Sequence, residues 1–308
     1  MARTCIPAPL GALLVLALVV PLTGGPRAAA TEPAAGVAIL REVRAASHPG
    51  FDRIVFAFSG RIPELRAIGW SDALWHDAAG PERRARIAGN TFLGLSFFPA
   101  WGIDIGEGCC APSYGPRRRA LATADLVELL EIGDWEGYLS FGIGLLRRTR
   151  IVAVTTLHDP PRIAIDIATG FARTTAPIAA WDTGADVWVA RDRVIRADRG
   201  PLGTARDLLA RMLAGPTPAE RAAGLRLPRN GVTHITDLAL EDGVLRLRLR
   251  GGCTAGTPGG TIGDAILRTV GDLPGIRAVK VFGPGGGTRV PSGAVDSLPV
   301  CLGPLPGG

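Results

Sequence analysis

Lysine is almost absent from this chain: Lys280 is the single lysine among 308 residues, and arginine carries the remaining basic charge. Several catalytic motifs are also missing, namely Gly-x-Ser-x-Gly, His-Glu-x-x-His and the Gly-Lys-Ser/Thr phosphate loop. Their absence excludes the esterase nucleophile elbow, the corresponding zinc protease site and the nucleotide-binding phosphate loop. The four histidines (His48, His76, His158 and His234) are scattered without metal-ligand spacing. We therefore predict no catalytic set, no metal and no cofactor.

The first thirty residues have the pattern of a secretory signal peptide. Arg3 precedes an apolar run over residues 10–20, and three alanines follow at 28–30. The run is too short to span a bilayer, which needs about 20 apolar residues, and no later stretch reaches that length. We predict an exported chain, secreted or cell-wall associated, that begins near Thr31. Cys5 precedes the apolar run, so we predict that the protein is not a lipoprotein.

The charge of the exported chain is mildly basic. The formal net charge is +6, and residues 1–30 contain two arginines and no acidic residue, which leaves +4 after cleavage. The shortage of lysine indicates the codon bias of a GC-rich genome rather than selection for phosphate binding. Long-range electrostatics still favour contact with anionic wall polymers or lipid headgroups. Export makes nucleic acid an unexpected partner.

Four cysteines remain after cleavage, an even number that suits an oxidising compartment. Three pairings are possible, and we favour Cys253 with Cys301. This disulfide closes a loop of roughly 50 residues and stabilises the fold by about 4 kcal/mol in the chain-entropy model. Cys109 and Cys110 are adjacent in sequence. They form a vicinal disulfide, stay free or bind metal, and metal is disfavoured because no third ligand is near.

The first part of the chain, residues 37–168, has the residue pattern of a β-sandwich domain. Short segments rich in aromatic and β-branched residues alternate with Gly/Pro turns, which is typical of all-β folds. The predicted strands cover residues 51–58, 91–98, 138–146, 149–157 and 162–168. Residues 111–120, with Pro112 and three consecutive arginines, are predicted to form an exposed loop. Residues 169–184 are predicted to form a linker.

The second part, residues 185–303, is predicted to be a small α+β domain. Apolar spacing predicts a helix over residues 204–214 that Thr204 caps, and a second helix over 261–273. We predict a hairpin formed by residues 187–191 and 193–197, a second hairpin formed by 235–240 and 244–250 around an Asp-Gly turn, and a closing strand over 276–282. In the second hairpin Leu245, Leu247 and Leu249 alternate with arginines, which predicts one buried face.

The first part resembles the AMIN-like domain of exported actinobacterial proteins. The matching stretches are His-Pro-Gly-Phe-Asp-Arg-Ile-Val-Phe at 48–56, Gly-Asp-Trp-Glu-Gly at 133–137 and Pro-Pro-Arg-Ile-Ala-Ile-Asp-Ile at 160–167. Together they cover about residues 37–168. The resemblance implies a wall-targeting β-sandwich. The adjacent cysteines and the triple-arginine segment are not part of that pattern.

The second part resembles the GerM-type domain of sporulation and germination proteins. The matching stretches are Leu-Leu-Ala-Arg-Met-Leu-Ala-Gly-Pro-Thr at 208–217, the Asp-Gly-Val turn at 242–244, and residues 252–276. The resemblance covers about residues 185–303. Many such proteins are lipoproteins, but this chain lacks the lipidation cysteine. Neither resemblance implies an established catalytic set.

Two carboxylates flank a tryptophan at Asp134, Trp135 and Glu136, which is the one arrangement with the character of a glycoside hydrolase. On a strand, Asp134 and Glu136 would share a face, roughly 6.5–7 Å apart. Gly133 and Gly137 bracket them, so we favour a structural turn. As candidate ligand-binding residues we predict these three together with two arginines, Arg53 and Arg162, on a shallow face of the sandwich.

From these features we predict a non-enzymatic cell-envelope protein that binds peptidoglycan or an envelope protein complex. One alternative is a cell-wall hydrolase that uses Asp134 or Glu136, which requires a deep cleft with converging carboxylates. Another is an assembly module that docks only on a partner protein through an exposed apolar patch. The sequence leaves open the choice between glycan and protein, the oligomeric state and the physiological role.

Overall fold

The computed structural model describes residues 37–77, 81–104, 106, 111–256 and 260–303. The predicted signal peptide, Cys109 and Cys110 lie outside the described residues. The described chain consists mostly of β-strands with a smaller helical part, which confirms the predicted β-rich plus α+β fold class. Of the helices in these ranges, none is long and apolar enough to cross a membrane.

The first part of the chain folds into two five-stranded sheets that pack face to face. The first sheet, in the order β5-β1-β2-β10-β9, contains β1 (Ala38–His48), β2 (Phe51–Ser59), β5 (Ala100–Trp101), β9 (Ile151–His158) and β10 (Pro161–Ala168). The second sheet, in the order β3-β4-β8-β7-β6, contains β3 (Glu64–Ser71), β4 (Thr91–Phe98), β6 (Arg118–Ala120), β7 (Leu126–Trp135) and β8 (Tyr138–Leu145). The strands predicted in this part are confirmed to within two residues.

Aromatic side chains form the centre of the sandwich core. Phe56 of the first sheet lies 4.9 Å from Phe97 and 5.3 Å from Phe141 of the second sheet, measured between ring centroids. The period-2 alternation of β2 directs Ile54, Phe56 and Phe58 inward, where all three are buried. The two inner faces therefore share one apolar core.

The prediction of an exposed loop over residues 111–120 is wrong at its C-terminal end, where Arg118–Ala120 forms strand β6. Arg119 is buried and donates hydrogen bonds to the carbonyl oxygens of Tyr114 and Pro116, each at 3.0 Å. Burial lowers the pKa of its guanidinium. Its burial is tolerated because backbone carbonyls accept from both Nη atoms, although the buried Nε has no partner among the described residues.

The second part of the chain contains two three-stranded sheets, three α-helices and a short 3-10 helix (Val300–Leu302) within the described ranges. One sheet has the order β12-β11-β13, with β11 (Arg173–Asp182), β12 (Val187–Arg196) and β13 (Leu225–Arg226). The other has the order β14-β15-β16, with β14 (Val232–Glu241), β15 (Val244–Gly251) and β16 (Ala278–Phe282). The α-helices are α1 (Gly200–Ala214), α2 (Pro218–Ala222) and α3 (Ile262–Val270).

Two elements of this part follow closely from local sequence. Thr261 caps α3: its hydroxyl accepts from the Asp264 amide at 3.2 Å, and the Asp264 carboxylate accepts from the Thr261 amide at 2.7 Å. This reciprocal capping box starts the helix where it was predicted. In β15, Leu245, Leu247 and Leu249 are buried, as their alternation predicts.

Two local predictions are wrong. The hairpin predicted within residues 187–197 is a single strand, β12, which pairs along its length with β11. Helix α1 begins at Gly200 rather than at Thr204, and no side chain caps it. Pro201 is tolerated in this first turn because proline lacks only an amide that the helix leaves unpaired there.

The segment predicted as a linker, residues 169–184, contains strand β11. Its residues Ile178, Ala179 and Ala180 are buried, and the Ala179 amide donates to the Thr269 hydroxyl of α3 at 3.1 Å. All described residues belong to one compact unit. The division into two domains stays a prediction.

Arg211 of α1 connects the second part of the chain to the first. Its side chain is 1 % exposed and donates to the carbonyl oxygens of Leu121 at 3.0 Å, Thr123 at 2.7 Å and Ala124 at 3.0 Å, and also to that of Leu126. These acceptors lie in the loop between β6 and β7. A buried guanidinium thus occupies a cage of backbone carbonyls.

Asp52 binds the same loop through its amide groups and the hydroxyl of Thr123. Its buried carboxylate accepts from the amides of Ala124 at 3.1 Å, Asp125 at 2.6 Å and Leu126 at 3.2 Å, and from the Thr123 hydroxyl at 2.7 Å. Charge-assisted hydrogen bonds of this kind are stronger than neutral ones. The loop therefore presents its carbonyls to Arg211 in a fixed geometry.

The predicted pairing of Cys253 with Cys301 is confirmed, with the two Cα atoms 5.7 Å apart. Reduction of this bond is expected to lower the free energy of unfolding by about 4 kcal/mol, because the unfolded chain gains the entropy of an open loop. Urea unfolding with and without dithiothreitol measures the effect. The Cys253→Ser/Cys301→Ser double variant should show the same loss without reductant and no further loss with it. A double variant as stable as the oxidised protein would contradict the prediction.

Candidate functional site

An open groove of about 450 Å³ lies at one end of the sandwich, beside the β7–β8 hairpin. Its lining is mostly apolar and aromatic: Val37, Phe98, Pro99, Trp101, Ile103, Asp134, Trp135, Glu136 and Gly137. Ligand sites combine such apolar walls with a few fixed polar groups. Three of the predicted site residues meet in this groove.

The hairpin at the groove is closed by a two-residue turn, which confirms the predicted structural turn. Trp135 pairs with Tyr138, and Glu136 and Gly137 between them have φ of 50° and 81°. Two positive φ values are the requirement of a type I′ turn, and glycine meets it without steric cost. Glu136 is exposed in this turn, so the alternative in which it shares a strand face with Asp134 is wrong.

Aromatic rings at the groove are open to solvent. Trp135 is 54 % exposed, and Trp101 is half-buried. Tyr138 packs against Phe98 of the adjacent strand at 4.6 Å between ring centroids. An exposed tryptophan beside a concave apolar surface has a ring face available for stacking on a ligand.

Backbone and carboxylate contacts hold the groove in shape. The Ala100 amide donates to the Gly137 carbonyl at 2.8 Å, and the Gly102 amide donates to Asp134 Oδ2 at 3.0 Å. Burial raises the pKa of Asp134, while the Gly102 amide and the Arg117 charge act in the opposite direction. Asp134 is therefore an oriented, half-buried hydrogen-bonding group at the base of an aromatic groove.

A second carboxylate behind the groove is already engaged. Glu131 accepts a hydrogen bond from the Tyr114 hydroxyl and forms an ion pair with Arg117 at 3.2 Å. Burial raises the pKa of Glu131 and, together with the contact to Glu131, that of Tyr114. This polar cluster supports the wall of the groove from inside.

The two predicted arginines do not line the groove. Arg53 lies on the outer face of the first sheet, where it forms a two-bond ion pair with Asp166, its cross-strand neighbour, at 2.7 Å. Arg162 lies on the same strand as Asp166 and donates to the Pro160 carbonyl at 3.3 Å. The sheet register explains the separation, because it places Arg53 opposite a carboxylate on the outer face.

Sequence reasoning missed the two other aromatic residues that line the groove, Phe98 and Trp101. A local signal was present, because Phe98 directly precedes Pro99 and Trp101 follows it by two residues. Their convergence depends on the short strand β5, which pairs with β1 in parallel and places Trp101 opposite Ile39. Pairing between distant segments is not visible in local sequence.

No metal site is found in the described ranges. Among those residues, no three histidine, cysteine or acidic side chains gather closely enough to hold an ion. Cys109 and Cys110 lie outside them, so the three alternatives for this pair stay open. The chemistry that the groove offers is stacking and hydrogen bonding.

Comparison with known proteins identifies one region of the chain. Residues 38–169 match the AMIN-like domain family, and this range coincides with strands β1 to β10. Domains of this family are non-catalytic binding or docking modules of exported envelope proteins. No curated protein and no solved structure matches the chain. The resemblance of residues 185–303 to the GerM-type domain stays a prediction.

Proposed function

We propose that this protein is an exported, non-enzymatic component of the cell envelope whose aromatic groove binds peptidoglycan glycan. The observation that carries the proposal is the exposed Trp135 beside the half-buried Trp101 in an open groove of an AMIN-like domain. Sugar rings have apolar C–H faces that stack on indole, and their hydroxyl and amide groups donate to acceptors such as Asp134. An open groove suits a polymer, because it does not have to enclose the whole ligand.

The rest of the chain has a proposed role as well. Residues 1–30 are a signal peptide in this proposal, and residues 185–303 form a GerM-like module. Arg211 and the Asp52-held loop join that module to the sandwich. The module therefore keeps a fixed orientation relative to the groove, which suits a protein that positions envelope components.

Replacing Trp135 with alanine is expected to weaken binding to purified insoluble cell wall at least about tenfold, equivalent to about 1.4 kcal/mol. The loss follows from removal of a stacking surface, since buried aromatic anchors dominate binding energies. Co-sedimentation of residues 31–308 with cell wall at moderate salt measures the bound fraction. Trp75→Ala is the matched control, because Trp75 is 49 % exposed and does not line the groove.

The same experiment separates the alternatives. Equal binding by wild type and Trp135→Ala would remove the groove from the proposal. Soluble wall fragments released by wild type and not by Glu136→Gln would support a hydrolase. An absence of pelleting, or pelleting lost in salt, would favour a protein partner instead of glycan.

A further inference from the structure

A basic cleft lies at the junction between the two parts of the chain, away from the aromatic groove. It has a volume of about 300 Å³ and lies between the segment 84–90, helix α1 and strand β14. Three arginines and a histidine line it: Arg84, Arg86, Arg206 and His234. No aspartate or glutamate is among its lining residues.

The arginines of the cleft have no carboxylate partners among the described residues. The nearest polar contacts are neutral: Arg84 donates to the Asp72 carbonyl at 3.3 Å, and Arg86 Nη1 lies 3.3 Å from His234 Nε2. Several other arginines of this part of the structure are paired with an acid. Arg193, for example, bonds to Glu220 at 2.5 Å. Codon bias explains how many arginines the chain has, but not why these three face one concavity without counter-charge.

The segment that presents two of these arginines is rigidly held. The Ala88 amide donates to Glu128 Oε2 at 2.7 Å, and Asn90 Nδ2 donates to Asp207 Oδ1 of α1 at 2.9 Å. A Cβ at Gly144 would lie 1.9 Å from the Ala88 carbonyl oxygen, so only glycine lets the segment lie this close to β8. The cleft therefore has a preformed wall.

The surroundings of the histidine in the cleft favour its neutral form. Burial lowers the pKa of His234, and the charges of Arg86, Arg84 and Arg250 lower it further. Arg206 of α1 adds to this positive potential from the facing wall. An anion in the cleft would reverse the electrostatic effect and favour protonation of the imidazole.

We propose that this cleft is a binding site for a phosphate group. Guanidinium groups bind phosphate oxygens through paired, charge-assisted hydrogen bonds, and several unpaired cations in one concavity concentrate the potential that attracts an anion. Phosphate in the envelope belongs to anionic wall polymers and to lipid headgroups, and the recognition chemistry is the same for both. The site is independent of the glycan-binding groove.

Titration calorimetry of the exported chain with inorganic phosphate at low salt tests the proposal. We expect saturable binding of one phosphate per chain, weakened at least tenfold by Arg86→Gln and by Arg206→Gln. Arg173→Gln, an exposed arginine outside the cleft, is the control and should bind as wild type does. Binding near neutral pH should take up protons at His234, so the apparent enthalpy should change with the ionisation enthalpy of the buffer.

Several results would overturn the proposal. These are non-saturable binding, equal losses in Arg173→Gln and Arg86→Gln, or wild-type affinity in both cleft variants. Circular dichroism and thermal unfolding verify that each variant is folded. Poly(glycerol phosphate) and vesicles containing phosphatidylglycerol then distinguish the two sources, since the source that contacts the cleft should lose affinity in Arg206→Gln. Trp135→Ala should bind phosphate normally, which separates this site from the groove.

Discussion

Arg211→Met is expected to lower the free energy of unfolding by about 3–5 kcal/mol, because several buried carbonyl acceptors lose their donor at once. Methionine fills much of the volume of the arginine but donates no hydrogen bond. The carbonyls of Leu121, Thr123, Ala124 and Leu126 would then lose the guanidinium that satisfies them. Each buried acceptor left unpaired costs about 1–3 kcal/mol, with partial relief from relaxation.

Urea unfolding followed by tryptophan fluorescence measures this loss. Arg206→Met is the matched control, because it makes the same substitution at an exposed position of the same helix. Exposed substitutions usually change stability by less than about 0.5 kcal/mol. Arg211→Lys should fall between the two, since an ammonium group supplies fewer donors than the guanidinium. Equal stabilities of the Arg211→Met and Arg206→Met variants would show that the carbonyl cage does not stabilise the fold.

Stability is also expected to depend on pH through Asp125, a neighbour of this cage. Its side chain is fully buried, and neither carboxylate oxygen has a hydrogen-bond partner among the described residues. Burial, reinforced by the charge of Asp52, raises the pKa of Asp125 to about 7, although Arg147, Arg211 and Arg196 act in the opposite direction. Folding therefore favours the protonated acid.

The sign of the effect follows from proton linkage. The pKa of Asp125 is higher in the folded chain than in the unfolded chain, so the folded state binds more protons at pH values between the two. Its contribution to stability is fully present below about pH 4 and is lost as the pH rises through about 7, by an amount on the order of 4 kcal/mol. The contribution of Asp125 to the free energy of unfolding should therefore be larger at mildly acidic pH.

The Asp125→Asn variant isolates this contribution, because asparagine stays neutral throughout. The free energy of unfolding of the variant minus that of wild type should rise between about pH 4 and about pH 7 and level off at higher pH. Asp192→Asn makes the same substitution at an exposed position and is the control over the same range. A flat difference for Asp125→Asn would mean that its carboxylate ionises as freely in the folded protein as in the unfolded chain.

The sequence predicted correctly several features that depend only on short-range patterns. The alternation in β15 predicted the buried residues Leu245, Leu247 and Leu249 correctly, and apolar spacing predicted a helix from Thr261, the residue that caps α3. The Glu136–Gly137 turn was also predicted, because positive φ favours glycine. These features depend on residues within a few positions of each other.

Contacts between distant segments of the chain separate the residues of the predicted site. Asp134 and Trp135 lie together in the groove, but Arg53 is held on the outer face of the first sheet by Asp166, 113 residues away in sequence. The groove also needs β5 beside β1, and the basic cleft needs Arg86 beside His234, 148 residues apart. No periodicity in the sequence encodes such neighbours.

The sequence by itself determined the β-rich class, the positions of most strands and the turn that follows Trp135, because these depend on local residue preferences. It favoured the disulfide between Cys253 and Cys301 among three possible pairings, and the structure decided it. The tertiary structure alone decided which charged side chains are buried and which are free. Arg211 and Arg119 are indistinguishable in sequence from the exposed Arg206, and only packing supplies the carbonyls that make their burial favourable. Among the described residues, the arginines of the basic cleft have no carboxylate partner, which leaves their charge available for an anion.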